Sequence, residues 1–182
     1  MIQLWTLGRL DLRSADGTEL RAILTQPKRF ALLAYLALHN PRGFISREHL
    51  LALFWPEQDS EHARSALNRA LYFVRRTLGP GVVLSRGDEE VGLSWDHFWC
   101  DAAVFENAAR RDAAREAVEL YHGDLLKGFH VSDARGFEEW IDAERERLRR
   151  IAQRAGWTLA AQQEGAGNFA AAAQAARWGA ER

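Results

Sequence analysis

The stretch Ser60-Glu61-His62-Ala63-Arg64-Ser65-Ala66-Leu67-Asn68-Arg69-Ala70-Leu71-Tyr72-Phe73-Val74-Arg75-Arg76-Thr77-Leu78, stopped by Gly79-Pro80-Gly81, reads as one helix with two faces. At about 100° per residue, Ala63, Leu67, Ala70, Leu71, Val74 and Leu78 fall on one side, which must pack inward. The opposite side carries His62, Ser65, Asn68, Arg69, Tyr72 and Arg76, with Arg64 and Arg75 on the flank. Glu61, at the very start, is the one acid. A merely solvated helix face usually mixes in Glu–Lys pairs. Here five arginines and no acid occur between His62 and Arg86. A local basic stripe suits docking into a nucleic-acid groove, because phosphate attraction fades over a Debye length of ~8–10 Å. Arginine can pair bidentately with guanine O6/N7 and asparagine with adenine N6/N7, while serine and tyrosine bond to bases or phosphates.

Upstream, Pro27 suits the first turn of a helix over residues 27–39, ended by Asn40-Pro41-Arg42-Gly43. Phe30, Leu33, Ala34, Ala37 and Leu38 give it an apolar stripe. Phe44-Ile45 is a short extended link, Ser46 can cap a second helix through Trp55, and Pro56 stops that helix. Nearer the N-terminus, residues 2–24 read as a small antiparallel sheet. Ile2, Leu4, Leu10 and Leu12 alternate, Ser14-Ala15-Asp16-Gly17 is a turn, and residues 19–24 form the third strand. Downstream, Val82-Val83-Leu84-Ser85, a turn at Arg86-Gly87-Asp88 and residues 89–95 read as a hairpin. Three strands, three helices and a hairpin make an α+β winged helix, in which the helix after the turn enters the major groove.

Three further groups suit phosphate contact. Lys28 and Arg29 lie in a first helical turn, where free backbone N–H groups already favour an anion. Arg47 opens the second helix, and Arg86 sits at the hairpin tip. Asp88, Glu89 and Glu90 follow at once and would repel DNA if they faced the same way.

From Asp101 the pattern is helical, which divides the chain into residues 1–99 and an all-α part over residues 100–182. Asp101 is read as a cap for a helix bearing Val104, Phe105 and Ala108. A loop with apolar anchors runs through Tyr121-His122-Gly123-Asp124-Leu125-Leu126-Lys127-Gly128-Phe129. A long helix over residues 137–163 follows, then Gly167-Asn168-Phe169 and a last helix over residues 170–178. Paired helices with small alanines at the joint suggest tetratricopeptide-like packing. The run Glu144-Arg145-Glu146-Arg147-Leu148-Arg149-Arg150 reads as a solvated face supported by Glu146–Arg150.

The 182 residues are 47% hydrophobic and 27% charged, with a net charge of −1, an ordinary globular balance. No apolar run reaches the roughly 18–20 residues of a membrane span. No secretion signal is expected, and one cysteine, Cys100, excludes an internal disulfide, so the expected location is cytoplasmic. Gly79-Pro80-Gly81 lacks the lysine of a phosphate-binding loop, and no Gly-x-Ser-x-Gly elbow occurs. His97 and Cys100 are too few to hold zinc. The expectation is therefore no catalytic residue, no cofactor, no metal and no enzymatic activity.

The ordering resembles the actinobacterial antibiotic regulatory proteins, which join a response-regulator-type winged helix to a helical bacterial transcriptional activator domain. The matching residues are Gln26-Pro27-Lys28-Arg29-Phe30-Ala31-Leu32-Leu33, Ser46-Arg47-Glu48-His49-Leu50 and Phe54-Trp55-Pro56. They continue with Arg64-Ser65-Ala66-Leu67-Asn68, Val74-Arg75-Arg76-Thr77-Leu78-Gly79, Tyr121-His122-Gly123-Asp124-Leu125-Leu126, and Trp140-Ile141 through Glu144-Arg145. The resemblance implies an activator that reads direct repeats of promoter DNA, helps recruit RNA polymerase and can dimerise on DNA. It carries Arg64, Asn68, Arg69 and Arg76 over as DNA-facing. The acidic wing and a helical part ending soon after Trp178 depart from the pattern, so a piece of a larger regulator is expected. The alternative from another class is a protein-interaction module with a degenerate winged helix, favoured by the net charge and the acidic wing. A small-molecule sensor rests only on the seven tryptophans.

Overall fold

A computed structural model of the chain describes residues 1–39 and 42–182. Asn40 and Pro41, expected to end a helix, lie outside the described residues.

β1 (Ile2–Trp5) is the centre of the first sheet. β2 (Asp11–Arg13) pairs with it antiparallel, Leu4 opposite Leu12. The third strand is not residues 19–24. Leu20, Ile23 and Leu24 recur at helical spacing, and α1 (Arg21–Leu24) is a single turn that buries Ile23 completely. Only an isolated bridge between Arg13 and Glu19 remains of the expected pairing. The other edge of β1 is taken in parallel by a strand from the far end of the region, Phe98–Cys100, so the sheet is mixed.

α2 (Pro27–Leu38) is buried from Phe30 to Leu38 without interruption. A helix apolar all round belongs at the middle of a core, not on its surface. The expected extended link is a strand, β3 (Phe44–Ser46). Ser46 then caps α3 (Arg47–Phe54), its Oγ accepting from the His49 N–H at 3.1 Å. α4 (Ser60–Leu78) matches its expected span and is capped by Asp59, whose Oδ1 accepts from the Glu61 and His62 N–H groups. β4 (Val83–Arg86) and β5 (Glu90–Leu93) form the hairpin, and β3 joins it to give the order β3-β5-β4. Gly92 allows that junction: a Cβ there would sit 2.7 Å from the Gly43 carbonyl oxygen.

β6 is the strand Phe98–Cys100 already described, and it runs straight into α5 (Asp101–Arg110). Asp101 stands at the first turn, and besides the adjacent Ala102 N–H its carboxylate serves Thr6 and Leu7, just past the end of β1. α6 (Ala114–Leu120) leads through the Tyr121–Ala134 connection to α7 (Arg135–Gly165) and α8 (Phe169–Ala180). α7 and α8 lie antiparallel and touch closely where Gly156 meets Gly179; a Cβ on Gly156 would stand 2.7 Å from the Gly179 Cα.

The change from mixed to all-helical elements falls near residues 99–101, yet one apolar core crosses it. Phe30 stacks edge-on to Phe129 at 5.1 Å, Tyr35 to Trp140 at 4.6 Å, and Phe54 lies 5.4 Å from Phe137. The N-terminal elements and α7 therefore hold one another in register.

Candidate nucleic-acid interface

α4 divides as its periodicity requires. Ala63, Leu67, Ala70, Leu71, Val74 and Leu78 are buried, while His62, Ser65, Asn68, Arg69, Tyr72 and Arg76 are exposed. Tyr72 is 66% exposed, far more than a ring of this size needs for packing. Arg69 is ordered along the helix by donating from Nη1 to Ser65 Oγ at 2.6 Å. Ser65, Arg69, Tyr72 and Arg76 thus form one outward arc, and Asn68 borders it.

The flank of α4 toward the hairpin is a cleft lined by Arg47, Glu48, Arg64, Asn68, Asp88 and Glu89. Arg47 is half-buried there, its Nη1 donating to Asn68 Oδ1 at 2.8 Å while its buried Nε has no partner among the described residues. The Arg47 backbone N–H donates to the Glu89 carbonyl at 2.7 Å, fastening α3 to the hairpin. Arg64 is exposed at the cleft edge. Of the acids after Arg86, Asp88 and Glu89 line this cleft with Arg47 and Arg64, joined by Glu48, which sequence reasoning passed over.

The remaining expected cations are engaged by the protein itself. Arg75 is half-buried; its Nη2 donates to Ser85 Oγ at 2.6 Å, so it ties α4 to β4. Burial, and then the nearby Arg47 charge, push its pKa down. Arg86 lies over the Phe44 ring at 4.1 Å and pairs with Glu90 at 3.2 Å. Arg29 covers Phe73, on the far flank of α4, at 4.1 Å. Lys28 donates to the Asp133 carbonyl at 3.3 Å, and burial lowers its pKa despite Asp133. The structure therefore gathers Arg64, Ser65, Asn68, Arg69, Tyr72 and Arg76 on and beside one exposed face. Arg47 lies behind them, and Arg75, Arg86, Arg29 and Lys28 brace the surroundings.

At the start of α4 the Asp59 carboxyl is held below its ordinary value, chiefly by the His62 backbone N–H and then by the His62 ring at 2.6 Å. Among the described residues, no group of three His, Cys, Asp or Glu side chains is placed to hold a metal ion. Nor is any helix there long and apolar enough to cross a membrane. No protein-family model matches the chain, and no curated protein matches it.

Proposed function

We propose that the chain is a sequence-specific duplex-DNA-binding transcriptional regulator, with residues 1–99 as a winged helix and residues 100–182 as a tetratricopeptide-like helical part. The observation that carries this is the exposed arc of Ser65, Arg69, Tyr72 and Arg76 on a helix whose opposite face is fully buried. The arc holds donors of the kind that read base edges, and no acid follows Glu61 on α4. In this reading α4 enters the major groove, α3 and the β4–β5 hairpin lie against the backbone, and Arg64, Arg69 and Arg76 supply most of the cationic contact. The family resemblance extends the proposal to promoter direct repeats, to recruitment of RNA polymerase, to pairing of two copies on DNA and to a cytoplasmic location. The test is a titration of duplex binding against salt. About three to four phosphate contacts give a log–log slope of about −3 to −4. A slope near zero, or no binding at low salt, removes the proposal.

One observation favours a second reading, a protein-interaction module whose α4 takes no DNA. Trp157 and Phe169 are 53% and 69% exposed beside Ala160, Ala161, Ala172, Ala173 and Ala176 on the α7–α8 face. Exposed apolar patches of this kind mark contact surfaces. The same titration separates the two readings.

A further inference from the structure

We propose that Arg47 is a positioning residue, and that by holding the Asn68 amide it makes Asn68 a reader of guanine rather than of adenine. The inference rests on the DNA reading above and deepens it.

Its geometry is a single contact between two helices. Arg47 stands at the first position of α3 and donates from Nη1 to Asn68 Oδ1 on α4 at 2.8 Å. A guanidinium carries donors and no acceptor, so the amide atom that meets it must be the oxygen. The usual ambiguity of an asparagine amide is thereby removed. Asn68 is exposed, and although its amide oxygen has a second lone pair, the Arg47 bond turns that oxygen toward α3 and leaves the NH2 as the group presented away from it. An unrestrained asparagine pairs with adenine by accepting from N6–H and donating to N7, which requires that oxygen. A held amide offers donors, and guanine presents two adjacent acceptors, N7 and O6.

Arg47 is also poorly placed to serve a phosphate. Its side chain is half-buried, its Nε is enclosed, and its backbone is fastened to Glu89. Glu48, Asp88 and Glu89 line the same cleft and oppose an incoming anion. What is left for the guanidinium is the amide in front of it.

The experiment is selection of bound sequences from a random duplex pool by the full chain and three variants. Asn68→Ala marks the base position that Asn68 reads, as the position whose preference is lost. There the parent protein selects guanine over adenine by about five-fold or more, the low end of the discrimination expected of a good polar base contact. Arg47→Leu brings adenine to within about two-fold of guanine at that position and leaves the salt slope unchanged. Asn68→Asp keeps the Arg47 contact and the fold, and turns the preference to cytosine, whose N4–H donates to a carboxylate. Should Arg47→Leu fail to fold, Arg47→Met, of similar length and equally unable to donate to the amide, takes its place with the same expected and overturning results. Adenine at the marked position of the parent overturns the proposal. So does an Arg47→Leu protein that weakens all sequences alike and flattens the slope by about one unit, since Arg47 then holds phosphate. A parent that binds duplexes without any base preference overturns the guanine assignment alone. A parent that binds none overturns the DNA reading itself.

Discussion

Asp101 and Thr6 stand 95 residues apart and are joined by three close contacts: the Thr6 N–H reaches both carboxylate oxygens, at 2.8 and 2.9 Å, and the Thr6 hydroxyl reaches Oδ1 at 2.8 Å. The Leu7 N–H adds a fourth at 2.9 Å. This carboxylate closes the end of β1 onto the start of α5, at the point where the mixed elements give way to helices. Burial raises the Asp101 carboxyl above its ordinary value, against the pull of the Leu7 and Thr6 donors. Asp101→Asn keeps the size but turns an NH2 toward N–H groups that need an acceptor. It should cost about 1–3 kcal/mol in urea unfolding, and Thr6→Val about 1 kcal/mol. A neutral Asp101→Asn would mean that these donors find water instead.

A second carboxylate, beside a tie to the segment after β1, responds to acid. Asp124 accepts the Gly8 N–H through its backbone carbonyl at 3.1 Å and pairs with Arg149 at 2.9 Å through its carboxylate. Burial alone would raise its pKa, but the Arg149 hydrogen bond and charge, with the Tyr121 hydroxyl, hold it below the ordinary value. A depressed carboxyl contributes stability above its unfolded pKa and loses it as pH falls through the folded one. Both side chains are more than a third exposed, so the contribution is below about 1 kcal/mol. Asp124→Asn should therefore be slightly less stable than the parent at pH 7, with the gap closing as pH drops below about 4. A gap that grew in acid would contradict this assignment.

The α7–α8 contact at Gly156 and Gly179 has no room for a methyl group. Gly156→Ala should part the helices and cost about 1–3 kcal/mol by overpacking, despite alanine's better helix propensity. An increase in melting temperature would mean that the hairpin gives way without strain.

How much of this was legible in the sequence follows from distance along the chain. α4 was readable to its ends because its period, its apolar stripe and Gly79 all lie within twenty or so residues. Its outward arc came with it. The parallel pairing of β1 with Phe98–Cys100 is not readable, since no local pattern joins strands so far apart, whereas the turn of helix at Arg21–Leu24 follows a local spacing of Leu20, Ile23 and Leu24 too short to stand out from a strand. The candidate cations divided likewise. Exposure of Arg64, Arg69 and Arg76 follows from helical angle alone. The commitments of Arg75 to Ser85, Arg86 to Phe44 and Arg29 to Phe73 depend on how separate elements meet. The Arg47–Asn68 contact depends on the register of α3 against α4, which spacing within either helix does not contain.

Mutations on the two sides of that division should behave differently. Arg69→Ala should relax sequence preference and weaken the selected site by about ten-fold or more, with much less loss on scrambled duplex. Lys28→Ala, whose ammonium is already held by the Asp133 carbonyl, should change either affinity by less than about three-fold. Leu71→Ala is the control: it empties a buried position and should cost about 2–5 kcal/mol of stability with or without DNA. Equal losses on both duplexes for Arg69→Ala would make Arg69 a phosphate contact and move base reading to Arg64, Asn68 or Arg76.

The last expectation concerns the carboxylates beside the same surface. Asp88 and Glu89 line the cleft with Arg47 and Arg64, within a Debye length of any backbone that α4 approaches. In the proposed complex they repel phosphate, so the protein binds more weakly than its exposed arginines alone would allow. The double variant Asp88→Asn, Glu89→Gln removes that repulsion while keeping side-chain size. At about 0.15 M salt it should tighten binding to selected and scrambled duplexes alike by about three- to ten-fold, since each exposed charge counts for less than about 1 kcal/mol. The gain should shrink as salt rises, because screening acts on the same interaction. Affinities of the parent and the double variant at three salt concentrations measure both effects. If the variant instead loses affinity on the selected site alone, the carboxylates are accepting from a base amino group, and the hairpin takes part in reading rather than in restraint.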